Sequence, residues 1–170
     1  MTKRDGLVAG TVKDVDDPDN LGRIKVEFPG EPGQSLTDWA PVAAPMAGNS
    51  RGFFFAPELE DEVIVGFISG ESDQPVILGF TWNGQDAPPT DHPRERIIKT
   101  KNHVIRLIDA TPGENGAGSV SIEDANQNKI ILSNGKITLK SEALIELDAP
   151  MIRLSGPGRD RVINIGTSVV

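Results

Sequence analysis

Hydrolytic chemistry of the nucleophile-and-base kind needs a histidine or its equivalent, and the chain offers two, His92 in a proline-rich stretch and His103 beside an outward-facing one. Neither has a nucleophile at a useful spacing, so both read as surface histidines. Glu58, Glu60, Asp61 and Glu62 are dense enough to suggest a glycosidase pair. That reaction wants two carboxyls in a cleft lined by sugar-stacking aromatics, and a solvated turn is the better reading. Asp14, Asp16, Asp17 and Asp19 hint at calcium, but with Asp17 as first ligand the fifth place falls on Leu21 and the twelfth on Phe28, where an EF-hand needs oxygen donors. Gly156-Pro157-Gly158-Arg159-Asp160-Arg161 is glycine-rich and basic yet lacks the Gly-Lys-Ser/Thr ending of a phosphate loop, and reads as a rigid connector. The expectation is an absence of catalytic residues, of cofactor and of metal.

The whole-chain figures point the same way. At 170 residues there is room for one ordinary domain and an appendage. A net charge of −8 opposes attraction to nucleic-acid phosphate or anionic lipid, and no apolar run approaches the roughly 20 residues that span a bilayer. Without cysteine there is no disulfide, thiolate zinc site or cysteine nucleophile, which suits a reducing cytoplasm. The first residues continue into no signal-peptide core, so synthesis in the bacterial cytoplasm without a signal peptide is expected.

Composition then divides the chain. All eight aromatic residues lie before position 83. Residues 1–93 carry 6 basic and 16 acidic side chains, net −10, whereas residues 94–170 carry 11 and 9, net +2. Three prolines and several turn formers between Asn83 and Pro93 mark the joint, which gives a barrel domain over 1–82, a linker over 83–96 and a second unit over 97–170. In the first unit, short apolar stretches alternate with turn signals about every ten residues, the pattern of a small all-β barrel of five or six strands. Strands are expected over Leu7–Val15, Ile24–Phe28, Trp39–Val42, Gly52–Phe55, Glu62–Ile68 and Pro75–Phe80, with Ile24, Val26 and Phe28 inward.

The second unit repeats Ile-x-Leu. The copies are Ile105/Leu107, Val120/Ile122, Ile130/Leu132, Ile137/Leu139, Ile145/Leu147, Ile152/Leu154 and Ile163/Ile165, and six of the seven central residues are polar. Such alternation implies one buried and one wet face per strand. Rungs spaced seven or eight residues apart are too short to bury a face against their own chain, so three identical chains are expected to wind together. The expected trimer core is Ile105, Leu107, Val120, Ile122, Ile130, Leu132, Ile137, Leu139, Ile145, Leu147, Ile152 and Leu154.

The ordered motifs carry a resemblance. Asp17-Pro18-Asp19-Asn20-Leu21-Gly22-Arg23 before an alternating strand, then Trp39-Ala40-Pro41-Val42, Ala47-Gly48, Gly52-Phe53-Phe54-Phe55-Ala56-Pro57-Glu58, Asp61–Phe67 and Asp73–Gly79, resemble the oligosaccharide/oligonucleotide-binding (OB) type domain of phage baseplate spikes and of the VgrG spikes of type VI secretion. Residues Ile122–Leu132 and Gly135–Ser141 are similar to the start of the intertwined β-helical needle in that family. The resemblance implies an all-β protein, an OB-fold-type barrel followed by a C-terminal intertwined trimeric β-helix. Its implied role is the non-enzymatic central spike of a contractile phage tail or related contractile injection system, mounted on a baseplate hub and puncturing the target cell envelope. Arg23 and Lys25, with the acidic barrel loops, would face the hub. A PAAR-type tip protein would sit on Ile163, Ile165, Gly166, Thr167, Ser168, Val169 and Val170, because no histidine follows His103 to hold a metal at the tip. Hub and lysozyme activities would reside in other chains, and the particle would be a phage tail baseplate or injection machine. The alternative is a trimeric β-rich module whose barrel binds oligosaccharide or single-stranded nucleic acid, which the net charge of the barrel opposes.

Overall fold

The computed structural model describes residues 6–30, 36–113, 116–154 and 156, together with the backbone of 161–163. It divides into two compact units, Met1–Pro88 and Pro89–Val170. No α-helix occurs among the described residues, and one 3₁₀ turn, Ile68–Gly70, is the sole helical element there.

In the first unit the strands are β1 (Val8–Asp14), β2 (Lys25–Glu27), β3 (Ala47–Gly48), β4 (Arg51–Gly52), β5 (Glu62–Phe67) and β6 (Pro75–Phe80). Four of them make an antiparallel sheet in the order β2-β1-β5-β6. The segment 36–42 closes it. Ile24 and Ala40 exchange backbone hydrogen bonds of 3.0 and 2.8 Å, and Val42 makes a parallel bridge to Ile77 on β6. A five-membered closed array with one parallel seam is an OB-type barrel, and closure removes the free edges of an open sheet.

Alternation fills this barrel. Val12, Ile24, Val26, Phe28, Ala40, Val63, Val65 and Ile77 are its buried core, and the Phe28 ring lies 6.0 Å from that of Phe67. Ile24, Val26 and Phe28 point inward as their spacing requires. Two expected strands differ. Trp39–Val42 pairs by isolated bridges, and of Gly52–Phe55 only Gly52 is in a strand, because β3 and β4 form a two-residue hairpin after which the chain turns outward.

In the second unit β7 (Glu95–Lys99), β8 (Val104–Ile108), β9 (Ser119–Glu123), β10 (Lys129–Ser133) and β11 (Lys136–Lys140) form an antiparallel meander, and β12 (Ile152–Leu154) pairs with β13 (Arg161–Ile163). The tightest connection is Asn134-Gly135, whose φ values of 50° and 71° make the two-residue turn that a right-twisted hairpin favours. Over residues 95–140 the strands therefore pair within one chain, which replaces the expected winding of rungs there, and β7 begins at Glu95. Neighbouring strands are hydrogen-bonded within the chain, with β7 and β11 as the sheet's edges. Neither face is covered, since no described residue from 89 onward is buried.

Gly10 tests the barrel's packing. A Cβ there would lie 2.3 Å from Val26 Cγ1 and 3.0 Å from the Glu27 carbonyl oxygen, both on the strand beside it. Gly10→Ala is expected to cost about 1–3 kcal/mol in urea unfolding followed by the emission of Trp39 and Trp82. Gly79→Ala, where nothing lies within 4 Å, is the control and should stay within about 0.5 kcal/mol of wild type. Equal midpoints for the two variants would contradict the packing described.

Candidate functional site

The groups with chemical potential are engaged in building turns. The Asp61 carboxylate accepts the Glu58 amide at 2.9 Å, and both oxygens of Glu60 accept from Lys13 Nζ at 2.8 Å. His92 and His103 donate no catalytic contact; the carbonyl of each accepts an amide at the turns flanking β7, from Glu95 and Thr100 respectively. Among the described residues no group of three potential metal-ligating His, Cys, Asp or Glu side chains occurs.

The Asp17–Arg23 turn has the densest electrostatics. Asp17, 8% exposed, accepts backbone amides from Asp19, Leu21 and Arg23, and the Arg23 guanidinium forks onto it at 3.0 and 2.6 Å while also reaching Asp19 at 2.5 Å. Arg23 holds the Asp17 carboxyl far below the usual 3.8, with the three amides adding to the effect, and the same pairing raises the Arg23 guanidinium. Lys25 Nζ lies 4.7 Å from the Trp39 ring centroid, a cation–π contact. Both residues expected to face a hub thus have partners inside the barrel unit. A second turn repeats the device: Asp124 accepts the Asn126 and Asn128 amides and the Asn128 side chain, and Asn128 chiefly holds its carboxyl low.

The apolar positions of the meander form the largest organised surface. Register places Ile98, Ile105, Ile122, Ile130 and Leu139 in one row across the five strands. Leu107, Val120, Leu132 and Ile137 make a second row that ends at Arg96, itself paired with Asp109 at 2.9 Å. The nine apolar side chains are 39–71% exposed. On the opposite face Arg106, Ser121, Ile131 and Thr138 are half-buried, beneath cross-strand ion pairs of Glu95 with Arg106 and of Glu123 with Lys129. The face that the alternation marks as buried is the less covered of the two in a single chain. Among the described residues only the segment Leu144–Leu147 approaches it, along the Ile122, Ile130 and Leu139 side. Long charged side chains lie along the other face and shield it.

Two grooves run along the apolar face. One of about 400 Å³ is bordered by Leu107, Val120, Leu132 and Ile137; the other, about 430 Å³, lies between Ile122, Ile130, Leu139 and the segment Leu144–Leu147. Ile145 and Leu147 are on that extended segment, outside any strand, and its main chain makes no backbone hydrogen bond among the described residues. Ile152 and Leu154 are on β12. Ile163 belongs to β13 by its backbone, and Ile165, Gly166, Thr167, Ser168, Val169 and Val170 lie outside the described residues. Sequence reasoning missed Ile98, because adjacent Ile97 and Ile98 blur the period-2 signal at the end of a proline-rich stretch.

Comparison with known proteins adds two findings. Residues 8–82 match the family model for the type VI secretion system/phage-baseplate injector OB domain. The chain is 34% identical over 111 residues to the type VI secretion system spike protein VgrG3 of Vibrio cholerae, an alignment covering 61% of this chain and 11% of that protein. It is 31% identical over 111 residues to the actin cross-linking toxin VgrG1 of the same species (61% and 10%), and 36% identical over 86 residues to the spike protein VgrG2a of Pseudomonas aeruginosa (48% and 10%). The chain spans about a tenth of the length of these relatives.

The Asp17 turn yields a pH dependence with a definite sign. A carboxylate held below 3.8 when folded contributes stability in full above about pH 4, and loses it as pH falls further through its folded value. Asp17→Asn is expected to unfold at lower urea at pH 7 and to show a flatter decline between about pH 4 and pH 2 than wild type. Parallel pH profiles for the two proteins would show that the Arg23 fork contributes nothing to folding.

Proposed function

We propose, from the premise that residues 8–82 belong to the type VI secretion system/phage-baseplate injector OB domain family, that the protein acts as a non-enzymatic, trimeric central spike of a contractile injection machine. The carrying observation is the uncovered double row on β7–β11. A sheet that hides no side chain of its own gains too little from burial to offset the entropy of ordering it, so its stability must come from association. Covering Ile105, Leu107, Val120, Ile122, Ile130, Leu132, Ile137 and Leu139 with their counterparts from two further copies supplies that burial, at roughly 1.5–3 kcal/mol per side chain.

Over Leu144–Leu147 the proposed architecture changes from self-paired to intertwined, before β12 and β13 pair again within the chain. Leu144–Leu147 keeps the Ile-x-Leu pattern but leaves its backbone groups without a strand partner, which supports a needle whose bonds run between chains, with Ile145, Leu147, Ile152 and Leu154 on its axis. The barrel is the mounting end toward a hub protein. A PAAR-type tip protein on residues 163–170 belongs to the same proposal, as does puncture of the target envelope by a particle-borne spike. One relative is named an actin cross-linking toxin, and the stretch shared with it is 10% of that protein, so that activity is not part of the proposal.

Light scattering of the purified chain should give three times the 18.2 kDa chain mass. Leu132→Asp sets a carboxylate inside the second apolar row of every copy, where desolvation and like charges oppose assembly. That variant should run as a monomer that retains the barrel's tryptophan emission. A monomeric wild type, or a Leu132→Asp protein that stays trimeric, would overturn the reading.

A further inference from the structure

Outside the meander, the barrel carries a second apolar surface that neither its core nor the spike reading uses. Phe53, Phe54 and Phe55 are 55%, 75% and 60% exposed, and with Met46, Leu78 and Phe80 they line an open groove of about 830 Å³. Contiguous exposed aromatics of this kind mark an interaction surface. Its walls are fixed in advance. Phe53 N–H donates to the Met46 carbonyl at 3.0 Å, and the Phe54 ring rests against the Gly22 main chain, where a Cβ would approach its Cε2 to 3.1 Å.

Two polar features decide the occupant. The first is Arg51, the one charged side chain among the described residues of the lining. It lies across the Gly48 main chain, where a Cβ would come within 2.9 Å of its Nε, and it has no hydrogen-bond or ion-pair partner among the described residues. Acidic groups on the neighbouring loops are engaged elsewhere, Asp17 and Asp19 by Arg23, Glu60 by Lys13 and Asp61 by the Glu58 amide. A guanidinium held open beside apolar walls matches a carboxylate. The second feature is the main chain of Phe54, Phe55 and Ala56, whose N–H and C=O groups make no hydrogen bond among the described residues. Another main chain can pair with such groups, whereas a hydrocarbon tail cannot. The net charge of the unit Met1–Pro88, with 6 basic and 15 acidic residues, limits how much negative charge the occupant brings. A polyphosphate, an anionic lipid surface or a second barrel would meet that field, while one carboxylate on an otherwise uncharged segment reaches Arg51 at little cost.

We propose that this groove docks an extended apolar segment of a different protein that carries a single carboxylate. Its leucine or aromatic side chains lie against the phenylalanines, its main chain along Phe54–Ala56 and its carboxylate on Arg51. The proposal stands apart from the trimer reading, since it concerns the barrel alone. The probe is a fluorescein-labelled peptide of leucine, phenylalanine and serine with one central glutamate, titrated into the full-length protein by fluorescence anisotropy. The same peptide with glutamine at that place, and a version of the glutamate peptide with N-methylated amides, are its counterparts. The glutamate peptide should bind at least threefold tighter than the glutamine peptide and at least tenfold tighter than the N-methylated one. Arg51→Gln should erase the preference for glutamate while leaving the affinity for the glutamine peptide unchanged, which isolates the pair. Phe54→Ser, at an exposed position, should lose at least tenfold for both peptides with unchanged tryptophan emission, and Ile68→Ser, exposed but outside the groove, should lose nothing. A glutamate peptide that does not bind, a preference that survives Arg51→Gln, full affinity of the N-methylated peptide, or Phe54→Ser binding like wild type would overturn the proposal. So would a change in assembly mass on Phe54→Ser, which would show that a second copy fills the groove; the wild-type mass is read separately and bears only on the trimer.

Discussion

One constraint governs the second half of this protein: a five-stranded sheet has two faces, and among the described residues the chain buries no side chain of the Ile/Leu double row. Along β7–β11 each strand is paired with its neighbours in the meander, with β7 and β11 at the edges, so the larger missing term is burial. The polar face has a remedy within the chain, because arginine, lysine and glutamate lie along it in cross-strand pairs. An aliphatic face has no such remedy. Only another apolar surface removes it from water, and identical copies carry the one surface guaranteed to match in width, spacing and row number.

The barrel solves the opposite problem. Closure through 36–42 lets a few short strands enclose eight buried residues, and Gly10 permits β2 to come close enough for Val26 to fill the interior. The connection between β1 and β2 is held by charge. Asp17, nearly buried, collects three amides and the Arg23 fork, so a seven-residue loop enters β2 with its acceptors and donors matched. No helix among the described residues of either unit is long and apolar enough to cross a membrane.

The sequence was most legible where alternation is strict. Ile24, Val26 and Phe28 read as inward and are buried, and the Ile-x-Leu positions from 105 to 139 read as one face and share one. Strand partners were harder, since a seven- or eight-residue repeat suits a two-residue hairpin in one chain as well as a rung wound among three. Asn134-Gly135 was the local clue favouring the hairpin, and the period alone could not weigh it. Phe53–Phe55 misled for a physical reason: three aromatics score as a strand by propensity, but strand propensity reflects a half-buried pleated surface that this loop does not have. For Arg23 the sequence marked the residue and the turn it ends, while its partner Asp17, six residues earlier, emerges only with the turn's geometry.

The contrast between the units bears on how the protein must assemble. The barrel's core is complete within one chain, and its net charge holds copies apart. The meander's apolar face is incomplete, and residues 94–170 have net +2, so little charge opposes their convergence. In the proposed trimer, association is driven in the unit where self-repulsion is weakest and restrained in the unit where it is strongest. The prolines between the two units break strand pairing along the chain, because a residue without an N–H cannot extend a ladder.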